Sequence, residues 1–523
     1  MRLWAANSCA LALVLVVVTA AAAARAGEGQ GLYREHCAAC HGAERLGGQG
    51  PALLPGNLGR LKPDGALAVI RDGRPATQMP AFAGRISDED LKKLASYIFE
   101  PPAEEPRWGD QEISASRIIH RDQEALPVDP RHDADPLNLF VVVESGDHHV
   151  SILDGDRLEV IARFPSRFAL HGGPKFSPDG RFVYFASRDG WISKYDLYSL
   201  QVLAEVRVGL NTRNLAISHD GRILAAANFL PQSLVLLDAK DLSLLEVIPA
   251  RGKKDDKLSR VSAVYQAAPR SSFVVALKDV AEIWEISYAE DPPPVFSGLV
   301  HSYEEGMVEA VAEGGAFPIR RIELSQPLDD FFFTPSYREV IGSARDGSGS
   351  VVVHLDVRRE IARLPLPGLP HLGSGISWLR AGRRVMATPH IKEGLVSVID
   401  LEDWRVVKTI ETEGPGFFLR SHENSPYAWV DVFFGPNRDA VHVIDKESLE
   451  IIKTLRPAPG KTAAHVEFTR DGRYALLSIW DMAGAIVVYD ALSLEEVKRI
   501  PFVKPSGKYN VYNKIHRSDG TSH

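Results

Sequence analysis

Cysteine is scarce in this chain of 523 residues, which contains only three. Cys9 lies in an apolar N-terminal run, so Cys37 and Cys40 are the only pair in the body of the chain. A structural zinc site needs about four Cys or His ligands, and no second cysteine pair supplies them. The chain also lacks an excess of basic residues. Its formal net charge of -8 argues against nucleic acid or an anionic membrane surface as a partner.

Cys37, Cys40 and His41 belong to the sequence Cys-Ala-Ala-Cys-His, which is the attachment motif of a c-type haem. Two thiols three residues apart can bond to the two vinyl groups of one haem, while the adjacent imidazole ligates its iron. We therefore predict one covalent haem c with His41 as an axial ligand. A chance Cys-x-x-Cys pair or half of a zinc site is the alternative interpretation.

Met79 lies in a Gln-Met-Pro loop that precedes a segment in which Leu91, Leu94 and Ile98 recur at helical spacing. A Met sulfur on the iron raises the reduction potential, and this suits electron transfer rather than catalysis. Met79 is therefore the predicted sixth ligand of haem c. The alternatives are a loop Met packed on the haem edge and ligation by the nearby His36.

Only one apolar run, from Cys9 to Ala24, approaches the length of a membrane span. It follows Arg2 and ends in small residues, which predicts a secretory signal peptide over residues 1–26. A retained membrane anchor is the alternative. Without the signal, only the two haem thiols remain, and export together with a c-type haem indicates a bacterial periplasm. We expect no membrane span after signal removal.

A change of composition divides the remaining chain. The predicted small all-α cytochrome c domain of class I type covers 27–101, and a polar segment at 102–134 is typical of a linker. From 135 to 523 the chain repeats apolar strands and polar turns with a period of about 40 residues, which is typical of a β-propeller. Asp-Gly pairs at 179–180, 220–221 and 471–472 favour hairpin turns. Eight apolar segments recur and are the predicted closing strands of the units, namely Ser151–Asp154, Lys194–Asp196, Val235–Asp238, Glu282–Ile286, His354–Asp356, Val398–Asp400, Val443–Asp445 and Val488–Asp490.

Eight units predict an all-β, eight-bladed propeller that closes on itself around a central channel. A seven-bladed ring and a pair of β-sandwiches are the alternatives. Many such repeats are scaffolds for protein contacts, but here His and Arg residues stand at the starts of blades, namely His171, Arg213, His371, Arg420 and His422. Imidazoles ligate iron and guanidinium groups bind carboxylates, so this pattern predicts a ligand site on the axis.

In these residues, the predicted propeller resembles the haem d1 domain of cytochrome cd1 nitrite reductase and its biosynthetic relatives. The resemblance is strongest in the segment Gly-Lys-Tyr-Asn-Val-Tyr-Asn at 507–513. It implies that haem d1 or its dihydro precursor binds without a covalent bond, with His171 as the iron ligand. It also implies that Arg188, Arg213 and Trp480 line the pocket.

One departure from the reductase concerns its two distal histidines, which protonate nitrite. His371 matches one of them, but Asp329 stands at the other position and is followed by three phenylalanines at 331–333. Proton delivery to a bound nitrite oxygen is general acid work that suits imidazoles near neutral pH. The resemblance therefore implies a member of this family that does not reduce nitrite.

Some biosynthetic members of this family join a c-type domain to a haem d1 propeller. They carry out the last step in the synthesis of haem d1, which denitrification requires. The resemblance implies an oxidoreductase that converts a propionate side chain of dihydro-haem d1 to an acrylate and passes electrons to the c haem. His422 and His371 are then the candidate bases or distal ligands, and Tyr512 is a further catalytic candidate. Arg420 and Arg213 would hold the carboxylates of the substrate.

Two other functions stay open from the residues. One is a nitrite reductase that keeps haem d1 as a permanent cofactor, and the other is a carrier that delivers haem d1 without catalysis. The expected partners are the tetrapyrrole, a periplasmic electron acceptor, and transient contacts with nitrite reductase or other haem d1 maturation proteins.

Overall fold

A computed structural model describes residues 27–48, 50–58, 61–73, 79–104, 106–297, 311–313 and 315–517. The signal peptide predicted at 1–26 lies outside the described residues. The chain divides into two compact units, Met1–Arg107 and Trp108–His523. Within the described ranges, no helix is long and apolar enough to cross a membrane.

The first unit is helical, as predicted. Residues 27–36 are helical, and further helices span Ala38–His41, Pro55–Leu58, Lys62–Asp72 and Asp88–Tyr97. The last helix begins at Ser87, whose side chain accepts a hydrogen bond from the Asp90 amide at 3.1 Å. This N-cap satisfies an amide that the first turn leaves free. Its apolar face buries Leu91 and Leu94 in one cluster with Tyr33.

The second unit is a ring of eight four-stranded antiparallel sheets, which confirms the predicted eight-bladed propeller. Blades 1 to 4 contain, in order, Pro505–Asn510, Leu139–Glu144, His149–Asp154, Glu159–Pro165; Lys175–Phe176, Phe182–Ala186, Trp191–Asp196, Gln201–Arg207; Asn211–Ile217, Ile223–Leu230, Ser233–Asp238, Leu244–Pro249; and Val261–Ala267, Ser272–Leu277, Glu282–Ser287, Ile319–Glu323. Blades 5 to 8 contain Asp330–Phe333, Glu339–Ser343, Ser350–His354, Arg359–Leu364; Ile376–Arg380, Arg383–Pro389, Leu395–Asp400, Arg405–Glu411; Leu419–Arg420, Tyr427–Asp431, Val441–Asp445, Ile451–Leu455; and Ala463–Phe468, Tyr474–Ile479, Gly484–Asp490, Glu496–Phe502.

Short elements join or flank the blades. A hairpin of Val295–Ser297 and Val311–Glu313 precedes the last strand of blade 4, and the chain ends in the helix Val511–His516. Single-turn 3-10 helices span Gln123–Ala125, Pro136–Asn138, Ala268–Arg270 and Leu372–Ser374.

The recurring segments that revealed the repeat lie in, or overlap, the third strand of each blade rather than its last strand. A fourth strand follows each one, and in most blades its residues are largely exposed or half-buried, as in Arg405–Glu411. An outer strand faces solvent on one edge, so it is more polar and gives a weaker repeat signal. The predicted Asp-Gly turns join first and second strands, where Gly180, Gly221 and Gly472 have φ of 74°, 73° and 75°.

The ring closes where the C-terminal strand Pro505–Asn510 pairs with Leu139–Glu144, near the start of the propeller. Phe140 lies opposite Asn510, and Val142 lies opposite Lys508. Blade 1 is therefore built from both ends of the propeller sequence. This pairing leaves no open sheet at the junction of the ring.

Part of the segment expected to be a linker at 102–134 belongs to the propeller. The helix Asp110–Ser116 buries Ile113 in the core between blades 2 and 3, and Ile118–Ile119 adds a fifth strand to blade 2. The Trp108 indole N–H donates to the Arg207 carbonyl at 2.8 Å. The Arg207 guanidinium lies 4.7 Å from the centre of the Trp108 ring. A few apolar residues suffice for docking because the blades already supply a formed surface.

We expect Trp108→Ala to lower the free energy of unfolding of the propeller by about 2 kcal/mol, because it removes a half-buried ring and its hydrogen bond. Trp108→Phe keeps most of the packing and should cost only about 1 kcal/mol. Urea unfolding followed by circular dichroism measures both. An unchanged midpoint for Trp108→Ala would contradict the docking of this segment.

Candidate functional site

The Cys-x-x-Cys-His motif lies at the end of the first helices. The His41 Nδ1 atom is 2.8 Å from the Pro51 carbonyl oxygen, which can only accept a hydrogen bond. Nδ1 therefore carries the proton, and Nε2 keeps a lone pair for a metal. Burial lowers the pKa of His41, which keeps the ring neutral. Gly50 packs on this ring so closely that a Cβ atom there would lie 2.7 Å from His41 Cε1.

Met79 packs, partly buried, in the same apolar cluster as Cys37 and Phe82. His36 instead has its Nε2 atom 3.7 Å from the Glu35 carboxylate. This arrangement favours Met79 over His36 as the second axial ligand. Two free thiols, a neutral imidazole and a thioether around apolar side chains form a donor set that fits a c-type haem.

In the propeller, His171 meets the two arginines that the sequence placed with it. It precedes the first strand of blade 2, and its Nδ1 lies 2.7 Å from the Arg213 carbonyl oxygen. Its Nε2 lies 2.6 Å from Arg188 Nη2. Because guanidinium groups only donate, Nε2 is the acceptor and holds the lone pair. That lone pair is the one an iron would take.

His371 precedes the first strand of blade 6 and faces the same channel. Its Nδ1 lies 2.5 Å from the Phe417 carbonyl oxygen, and its ring stacks on Phe417 with centres 3.9 Å apart. Burial, assisted by the Arg213 and Arg420 guanidinium groups, lowers the pKa of His371 to about 4. The ring is therefore a neutral imidazole at physiological pH.

Asp329, which stands where the reductase has its second distal histidine, is held between two cations. It forms ion pairs with Lys278 and, at 2.9 Å, with Arg345. Burial opposes ionisation, but these cations hold the pKa of Asp329 below its ordinary value. The neighbouring Asp330 instead accepts a hydrogen bond from the Tyr265 hydroxyl at 2.8 Å. Asp329 therefore stays a carboxylate and has no proton to donate near neutral pH.

Residues of blades 7 and 8 form an aromatic wall. The Phe418 ring centre is 4.7 Å from that of His465 and 6.2 Å from that of Trp480. Phe433 meets Trp480 at 4.9 Å in an edge-to-face contact. Such a surface suits a flat conjugated ring.

Several buried polar atoms of this wall have no hydrogen-bond partner among the described residues. They are Nε of Arg420, Nε1 of Trp480 and both ring nitrogens of His465. Buried polar groups are ordinarily paired, so these atoms fit a ligand that carries its own polar groups. The arrangement fits a macrocycle with carboxylate side chains.

His465 is a site residue that the sequence pattern did not predict. It lies in the first strand of blade 8, in a segment whose sequence is similar to the matching segments of other blades. Its backbone, however, has φ of 58° at a break in the strand register between Ala464 and Val466. A non-glycine residue in this region indicates local strain that often accompanies function. Burial, reinforced by Lys508 and Arg420, lowers the pKa of His465 well below its ordinary value.

His422 does not join His171 and His371. It lies in the turn after the first strand of blade 7, where its ring packs on Gly472 and lies 6.0 Å from that of Phe468. Residues before and after a first strand lie at opposite ends of the channel, because the strand runs from one end to the other.

Tyr512 is also at the far end, since it lies in the C-terminal helix. Its ring stacks on His516 with centres 4.0 Å apart and faces the Arg470 guanidinium at 5.0 Å. These contacts are those of a packed aromatic residue.

Comparison with known proteins agrees with this geometry. Residues 134–514 match the family model described as the cytochrome D1 heme domain, and residues 24–98 match that of cytochrome c oxidase, cbb3-type, subunit III. The chain is similar to nitrite reductase of Stutzerimonas stutzeri, with 23% identity over 92% of each chain.

A dihydro-heme d1 dehydrogenase of Pseudomonas aeruginosa is 59% identical over 94% of this chain and 95% of its own. A solved structure of dihydro-heme d1 dehydrogenase NirN in complex with DHE superimposes with a TM-score of 0.87, covering 93% of this chain and 100% of that one. The chain therefore belongs to the cytochrome D1 heme domain family and, within it, to the group of dihydro-heme d1 dehydrogenases with an N-terminal cytochrome c domain.

Proposed function

We propose that this protein oxidises a propionate side chain of dihydro-haem d1 to an acrylate within the propeller channel. The observation that carries the proposal is a channel with neutral buried imidazoles and unpaired donors beside a doubly paired, ionised Asp329. This combination suits proton removal and carboxylate binding rather than proton delivery. The high identity to a dihydro-heme d1 dehydrogenase supports the same reaction.

Substrate binding uses one end of the channel. His171 would offer its Nε2 lone pair to the iron of the substrate once Arg188 gives up its hydrogen bond to that atom. Arg188 and Arg213 would then offer guanidinium groups to peripheral carboxylates. The aromatic wall covers a face of the ring, and the unpaired indole N–H of Trp480 is available to a polar substituent. Binding would therefore satisfy donors that folding leaves without partners.

Dehydrogenation of a propionate removes two protons and two electrons from adjacent carbons. A base must be unprotonated before it can act, and the depressed pKa values keep His371 and His465 neutral. We assign proton abstraction to His465, because both of its ring nitrogens lack a partner among the described residues and the nearby Arg420 can hold the carboxylate. His371 is then the distal imidazole.

Haem c, which Cys37 and Cys40 would hold and His41 and Met79 would ligate, would supply a one-electron acceptor within the same chain. We further propose a periplasmic location, supported by the export signal expected from the sequence. There the partners would be a periplasmic electron acceptor and, transiently, nitrite reductase or other haem d1 maturation proteins.

Anaerobic incubation of the holoprotein with dihydro-haem d1 and an excess of a soluble one-electron oxidant should yield a tetrapyrrole lighter by two hydrogens. The reaction creates one carbon–carbon double bond and releases two electrons, of which one haem c can hold only one at a time. Mass spectrometry of the extracted tetrapyrrole measures this. Haem d1 itself, already an acrylate, is the matched control and should return unchanged. Recovery of unaltered dihydro-haem d1 would identify a carrier instead of an enzyme.

With haem d1 bound and a reductant present, nitrite turnover should stay at background from pH 6 to 8. Lys278 and Arg345 keep the pKa of Asp329 depressed, so Asp329 gains no proton in this range. Nitric oxide detection measures the rate. Turnover that disappears in Asp329→Asn would show that Asp329 acts as a proton donor and would favour a nitrite reductase.

His465→Ala should bind dihydro-haem d1 but form acrylate about 10²–10⁴-fold more slowly, because general base catalysis is lost. His422→Ala is a matched control at the other end of the channel. It should form product at nearly the normal rate while lowering the unfolding midpoint, since His422 is fully buried. Rapid-mixing absorption spectra follow both variants. Equal loss of rate in the two variants would contradict the assignment.

A further inference from the structure

The C-terminal helix crosses the central channel. Asn513 Nδ2 donates to the Phe468 carbonyl of blade 8 at 2.9 Å, and the helix packs against blades 1 and 2. Just beyond it, Arg517 donates to Gln266 of blade 4 and to Tyr337 of blade 5. In an eight-bladed ring, blades 4 and 5 face blades 8 and 1 across the axis. A segment that contacts both pairs must span the channel.

These contacts are at the end of the channel where first and second strands are joined. Gly180, in one such turn, packs against Val511 and Ile515 of the helix. Tyr337 lies in the corresponding turn of blade 5. His171 and His371 precede their first strands and so lie at the opposite end. The helix therefore closes the end of the channel that lies away from the substrate.

A row of titratable side chains connects His465 to this helix. The Tyr509 ring centre is 5.0 Å from that of His465, and the Lys514 ammonium is 5.6 Å from the centre of the Tyr509 ring. Lys508 flanks the row and donates to the His465 carbonyl and, at 2.9 Å, to the Ser478 hydroxyl. Lys514 is only partly buried, and His516 and Arg517, which follow it by two and three residues, are exposed.

Each turnover would release protons inside the channel, and a tetrapyrrole bound at His171 would cover the end of the channel opposite the C-terminal helix. A base that keeps its proton cannot serve again. The proton therefore needs a route past the ring or through the far end. The row from His465 to Lys514 supplies titratable groups along the second route.

We propose that Lys514 is the proton-exit residue of this enzyme, taking the proton from the His465 imidazolium by way of the channel and releasing it to solvent. The inference rests on the proposed function. No electrons move in this step: an N–H bond of the His465 imidazolium breaks, an N–H bond of the Lys514 ammonium forms, and the ammonium then passes a proton to solvent water, where an O–H bond forms. The electrons leave separately, through the acceptor already named.

The surroundings of Lys514 suit this task. Burial, reinforced by Arg420, Lys175 and Arg517, lowers the pKa of Lys514 to about 7, while Glu467 acts in the opposite direction. An amine with such a pKa both gains and loses a proton near neutral pH. Lys508 also has its pKa lowered to about 7 by burial. It donates to two fixed acceptors, however, and this holds it in place.

Two substitutions separate proton transfer from charge. Lys514→Met removes the amine, whereas Lys514→Arg keeps the positive charge but cannot lose a proton near pH 7. Both should slow multiple-turnover acrylate formation, measured with an added one-electron oxidant, by at least about tenfold. Both should leave the dihydro-haem d1 binding spectrum and the haem c bands unchanged. Lys498→Met, at a half-buried position on the outer strand of blade 8, is the control and should behave as wild type.

Chemical rescue supplies a readout that a purely structural role would not move. Added methylamine should restore part of the rate in Lys514→Ala, with a pH dependence that follows the added amine. Normal rates in Lys514→Met, or a normal rate in Lys514→Arg alone, would overturn the proposal. Absence of product from the wild-type protein would instead overturn the proposed function, so the two failures are distinguishable.

Discussion

Closure of the ring by the C-terminal strand is the constraint on which the rest of the propeller depends. Pro505–Asn510 pairs with Leu139–Glu144, so the last strand completes the first blade. The same strand carries Lys508 and Tyr509 into the channel beside His465. It also leads directly into the helix that spans the channel. The strand that closes the ring therefore also shapes one end of the site.

Desolvation then decides which groups are charged within this enclosure. Burial keeps the His371 and His465 imidazoles neutral, and neighbouring guanidinium and ammonium groups reinforce the effect. Asp329 has the opposite outcome, because Lys278 and Arg345 pair with it. A carboxylate without a proton and imidazoles without charge suit removal of protons from a substrate. The same groups are poorly arranged to deliver protons to nitrite.

Local sequence patterns predicted much of the architecture. Apolar third strands are buried on both faces, so their regular recurrence gave the number of blades. The Asp-Gly turns were predictable because residues with positive φ are needed there. The docked segment at 108–119 was not predictable, because its polar composition hides how few apolar contacts, chiefly Trp108 and Ile113, attach it to blades 2 and 3.

The sequence by itself determined the groups that act within a few residues of one another. Cys37, Cys40 and His41 identify a covalent haem because their spacing lets two thiols bond to one haem while the imidazole reaches its iron. The tertiary structure alone decided which distant side chains share the channel. It brought His171, Arg188 and Arg213 together, placed His422 at the far end and put His465 beside Arg420. The reason is geometric: a propeller assembles its site from one end of eight separate strands, and a shift of a few residues along one strand moves a side chain to the opposite end.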